Sequence, residues 1–87
     1  MDFPQEIRTR AKRVRPIVRT AEEAVRLIDH ELPREINRQS RWTFARALLL
    51  VAQQSGKKRD LTIAYRQFRQ ALSNDKLLVS EVSEGKD

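Results

Sequence analysis

The chain has 87 residues, 39% of them hydrophobic and 34% charged, with 18 Lys and Arg against 12 Asp and Glu for a net charge of +6. That composition supplies one small core and no second domain, and the absence of cysteine excludes disulfides, thiolate catalysis and Cys-based metal sites. Neither a membrane span nor a signal peptide is read from it, so a single soluble, cytoplasmic domain over residues 1–79 is expected.

Residues 1–19 carry two periodicities at once. Ile7, Ala11 and Val14 recur at helical spacing, Pro4 suits a first turn and Pro16 would end it. Yet Ile7, Thr9 and Ala11 also alternate with Arg8, Arg10 and Lys12, while Val14 and Val18 alternate with Arg13, Arg15 and Arg19. That is the period-two pattern of a half-buried hairpin. Residues 1–20 carry a net +4 and residues 40–72 a net +6, whereas residues 21–39 and 73–87 are each at −2.

Thr20-Ala-Glu-Glu23 is a capping box, so a first helix is expected from residue 21 to about Glu31, with Pro33 at its end. Ala21, Ala24, Val25, Ile28 and Leu32 share one face of it. After a polar connection over residues 34–39, Ser40 is placed to cap a second helix that runs to about Gln54, with Gly56 as its stop. Phe44, Ala45, Leu48, Leu49, Val51 and Ala52 cover nearly half of its circumference, with Trp42 at the edge. An arc that wide predicts contact with more than one neighbour. Leu50 falls on the side that should face water.

Lys57, Lys58 and Arg59 form a short basic run in the next loop, and Asp60 is the expected cap of a third helix over residues 61–73. Leu61, Ala64, Tyr65, Phe68, Ala71 and Leu72 make its apolar stripe. Leu77, Leu78 and Val79 are expected to fold back onto the core, and residues 80–87 to form a flexible polar tail.

These residues together resemble the short alphaproteobacterial proteins grouped as domain of unknown function 982. The frame is Arg13-Val14-Arg15, Thr20 with Glu22-Glu23-Ala24, Leu32-Pro33, Ala45 with Leu49, Gly56, and Ala64-Tyr65-Arg66 with Phe68 and Ala71. It covers residues 5–78. The sequence departs from the family where Leu32 stands in place of an aromatic residue and in a longer connection over residues 34–40. The resemblance implies a short N-terminal strand pair followed by helices, and no activity.

Little here suits catalysis. His30 is the only histidine and lies on the polar face of the first helix; Gly56 and Gly85 are the only glycines, too few for a phosphate-cradling loop. No cofactor, metal or small-molecule ligand is expected. A nucleic-acid surface is the alternative: with a hairpin turn at Ala11-Lys12, Arg8 would oppose Arg15 and Arg10 would oppose Arg13. These, with Lys57, Lys58, Arg59, Arg66 and Arg69, would form a basic face. The second and third helices also resemble a helix-turn-helix, though with a connection of about six residues instead of three or four.

The reading is an α+β domain, an N-terminal β-hairpin followed by three α-helices, with an all-α four-helix arrangement starting from a helix over residues 3–14 as the alternative. The expected core is Val18, Ala24, Val25, Ile28, Trp42, Ala45, Leu48, Leu49, Ala52, Leu61, Ala64, Phe68 and Leu72. The expected function is a non-catalytic binding module. It would act through protein–protein interaction or self-association, using an open strand edge to add a partner strand or form a homodimer; nucleic acid is the other reading.

Overall fold

A computed structural model describes residues 2–10 and 14–78. The expected turn at Ala11-Lys12, Arg13, Val79 and the tail 80–87 lie outside the described residues. The period-two reading of the N-terminus is the one the chain adopts. Strand β1 (Asp2–Arg8) pairs antiparallel with β2 (Ile17–Thr20). There follow α1 (Ala21–Arg26), a π-helical turn (Leu27–Glu31), the short α2 (Arg34–Asn37), α3 (Ser40–Ser55) and α4 (Lys58–Asn74). The expected helices are all present, and one further helical turn, α2, occupies the connection read as polar.

The register differs from the one expected. Ile7 faces Val18 and Arg8 faces Ile17, so Arg8 does not oppose Arg15. The pairing slips between Asp2 and Ile7, while Phe3 and Ile7, four residues apart on one strand, both face the core. Burying Ile7, Val14 and Val18 decides this register, because a shift by one residue would turn each apolar side chain to water.

Thr20 caps α1 as its sequence implied, accepting from the Glu23 N–H at 3.1 Å. The Glu23 carboxylate reaches back one residue further than a capping box requires, to the N–H of Arg19 at 2.7 Å. Beyond Arg26 the helix widens, and the Leu32 N–H donates to Leu27 O instead of Ile28 O. The carbonyl thus released at Ile28 accepts from the Asn37 side chain at 3.0 Å. Widening buries Leu27 and Ile28 side by side, with Leu32 beyond them.

Helices α3 and α4 form an antiparallel hairpin joined by Gly56 and Lys57. Arg41 and Trp42 at the start of α3 meet Asp75 just past the end of α4, and Ser55 at the end of α3 meets Asp60 in the first turn of α4. The connection is shorter than expected because α4 starts at Lys58, with Asp60 inside its first turn and not at its cap. A two-residue hinge between antiparallel helices is not a helix-turn-helix. Gly56 stops α3 in the left-handed conformation, φ 68°.

The core lies between the hairpin, α1 and the α3/α4 pair. Of the expected core residues, Val25 and Leu48 are only partly buried, and the others are buried. Phe68 links the layers, with ring centroids 6.1 Å from Phe3 on β1 and 5.9 Å from Trp42 on α3. No helix among the described residues is long and apolar enough to cross a membrane.

Candidate functional site

The cations expected on one face of the hairpin are dispersed. Arg15 turns inward, its Nε and Nη2 donating to Glu31 Oε2 at 3.0 and 2.8 Å while its backbone N–H donates to Oε1 at 2.8 Å. Burial pushes the Glu31 carboxyl up, but the hydrogen bonds and charge of Arg15 outweigh it and hold the carboxyl below its ordinary range. Arg15 is therefore a structural cation, not part of a phosphate-facing platform. Arg8 stands 3.5 Å from Glu6, which also accepts from Arg19 at 3.3 Å. Arg10 is exposed, and its backbone N–H donates to Leu77 O.

Some of the backbone positions that a partner strand would use are already engaged. The amides of Arg15, just before β2, and of Arg19, on β2, donate to the carboxylates of Glu31 and Glu23. Just past β1, Thr9 forms an antiparallel bridge with Leu78 and the Arg10 N–H donates to Leu77 O, so the fold-back of Leu77 and Leu78 covers the chain there, beyond the outer edge of β1 itself. Strand addition loses its template at these positions.

Two helix faces remain. The first is the outer side of α3, where Phe44 is 54% and Val51 50% exposed, contrary to the expectation that both would be covered by neighbouring elements. Ala47 is exposed between them, and Leu48 and Leu50 are half-buried. Ser40, Thr43 and Gln54 complete a surface without a charged side chain. The two cations of α3 are both turned aside and neutralised. Arg41 Nη1 donates to Asp75 Oδ1 at 2.8 Å, and Arg46 donates from Nε and Nη2 to Asp29 at 2.6 and 3.0 Å. The Arg46 hydrogen bonds hold the Asp29 carboxyl below its ordinary range. Ile63, 44% exposed, lies three residues along α4 from Asp60, which meets Ser55 at the end of α3.

The second face is the solvent side of α4. Lys58, Arg59, Arg66 and Arg69 are exposed on it and engage no acid among the described residues. A shallow depression lined by Tyr65, Arg66, Arg69 and Gln70 lies on this helix. Lys57 precedes it at the turn. So of the nine cations singled out from sequence, the structure gathers Lys58, Arg59, Arg66 and Arg69 on one helix and separates Arg8 and Arg15 from them. The α3 face escaped the sequence reading because a wide apolar arc normally signals burial on several sides.

Among the described residues no group of three or more His, Asp or Glu is placed to hold a metal ion. The depression beside α1, about 240 Å³, is lined by Arg15, Glu22, Glu23 and Arg26. No known protein-family model, curated protein or solved structure matches this chain.

Proposed function

We propose that the chain is a non-catalytic binding module that works as a homodimer, docking a second copy on the outer face of α3. The carrying observation is that this face is apolar, half-exposed and free of charge in a chain of net charge +6. A neutral face lets two such chains meet without bringing like charges into contact.

The stripe is also its own complement. Positions 44, 47, 48 and 51 follow helical i, i+3, i+4, i+7 spacing. In an antiparallel two-fold pairing, Phe44 lies against Val51 of the second copy and Ala47 against Leu48, so that each large side chain meets a smaller one. Ala47 at the centre permits close approach of the helices. A 16-residue helix is about 24 Å long. With the adjoining flank of α4 it offers on the order of 500 Å² per copy, below the roughly 800 Å² of a standard interface. A reversible dimer of micromolar or weaker affinity is expected.

Sedimentation velocity over a concentration series tests this. Phe44→Glu should shift the chain to monomer, and Phe44→Glu with Val51→Arg should restore the dimer by placing opposite charges across the two-fold. A wild-type chain that stays monomeric at about 1 mM, where even −4 kcal/mol of association would register, overturns the reading.

A further inference from the structure

We propose that the solvent face of α4 is a binding site for duplex DNA that grips the phosphate backbones on both sides of a major groove. On a helix of 3.6 residues per turn, Lys58, Arg59, Thr62, Arg66, Arg69, Gln70 and Ser73 fall within an arc of about 120°. That arc contains four cations and no acid. The only acid of α4, Asp60, lies outside it and accepts from Ser55 Oγ at 2.6 Å.

The placement of the cations is unfavourable for the helix by itself. Lys58 and Arg59 occupy the first turn, where the positive end of the helix dipole disfavours them. Charge that serves only solubility can be placed anywhere on the surface and mixed in sign. Cations gathered against the dipole, with acids kept out of their arc, are accounted for by an external anion that offsets both costs.

The spacing matches a particular polyanion. The cations form two groups, Lys58 with Arg59 and Arg66 with Arg69, whose midpoints are nine residues apart, or about 13 Å along the axis at 1.5 Å per residue. The B-form major groove is about 12 Å wide. With α4 lying across the groove, one group meets the phosphates of each strand.

Other polyanions fit less well. Single strands are held by stacking on exposed aromatic rings, yet Tyr65, beside the arc, is half-buried against Phe3 with ring centroids 5.3 Å apart. An anionic membrane is met by a row of large apolar side chains flanking the cations, whereas Ile63 alone stands exposed beside this arc. A-form RNA presents a narrow major groove that this spacing does not span.

Fluorescence anisotropy with a mixed-sequence duplex DNA, the same sequence as single strand and as duplex RNA, and anionic vesicles, each between about 50 and 200 mM salt, tests the proposal. Four neutralised phosphates give a slope of log K on log salt near −3.6 for duplex DNA. Arg66→Ala with Arg69→Ala, and separately Lys58→Ala with Arg59→Ala, should each reduce the slope by about 2, whereas Arg34→Ala on α2 should not change it. Circular dichroism of each variant confirms the fold. Absence of duplex DNA binding at 50 mM salt, equal affinity of wild type and both double variants, or stronger binding to single strands, duplex RNA or vesicles would overturn it. Because Phe44→Glu leaves α4 untouched, DNA binding by that variant separates this site from the dimer face.

Discussion

The indole N–H of Trp42, at the start of α3, donates to the carboxylate of Asp75, the residue that follows α4. Trp42 is fully buried, and the other oxygen of Asp75 accepts from Arg41. One acid thus closes the open end of the helix hairpin. Asp75→Ala leaves a buried donor without an acceptor, which costs about 1–3 kcal/mol. Asp75→Asn should cost less, since it keeps an acceptor for the indole while losing the charge opposite Arg41. Urea denaturation followed by Trp42 fluorescence checks both.

Lys76 adopts φ 61°, the left-handed conformation that favours glycine. It ends α4 in a Schellman motif: the Leu77 N–H donates to Leu72 O at 2.8 Å and the Lys76 N–H to Ser73 O at 3.0 Å. Lys76→Gly should raise stability by about 0.5–1 kcal/mol. At the end of α3 the opposite change, Gly56→Ala, should lower it by about 1 kcal/mol. That loss comes from the backbone alone, because an added Cβ meets nothing within 4 Å.

The carboxyls of Glu31 and Asp29 both titrate below their ordinary range. For an acid whose pKa is lowered by folding, the stabilisation is complete above the unfolded value and disappears as pH falls through the folded one. Stability should therefore be level above about pH 5 and decline below about pH 4. Glu31→Gln should flatten this decline and cost about 1–2 kcal/mol at neutral pH, because it leaves the half-buried Arg15 guanidinium with only Glu23, 4.0 Å away, as its acid among the described residues. Denaturation midpoints measured from pH 3 to 7 give both quantities.

Thr20→Ala removes the acceptor of the Glu23 N–H and should cost about 1 kcal/mol, while Thr20→Ser should retain most of the cap. The far-ultraviolet circular dichroism of the folded state should not change, so the effect is read from the thermal midpoint.

The elements most legible in the sequence were those fixed by local chemistry. Thr20 and Gly56 sit where capping and stop signals place them, and the burial of Ala45, Leu49, Ala64 and Phe68 follows from helical period alone. What escaped depended on residues distant in sequence. Arg15 resembles any solvated arginine until the π-helical turn brings Glu31 to it. Nothing local says that Phe44 and Val51 stay uncovered, since that depends on where α1, α4 and the hairpin come to rest. The start of α4 departs from the local signal because Asp60, a strong cap by type, accepts from Ser55 from within the first turn instead.

The bridge between Thr9 and Leu78 joins positions separated by nearly the whole described chain. Closing so long a loop carries an entropy cost that only the finished intervening structure compensates. The Arg10 amide, held by Leu77 beside that bridge, should therefore exchange with solvent as this terminal fold-back opens locally, ahead of amides in the middle of α3 and α4.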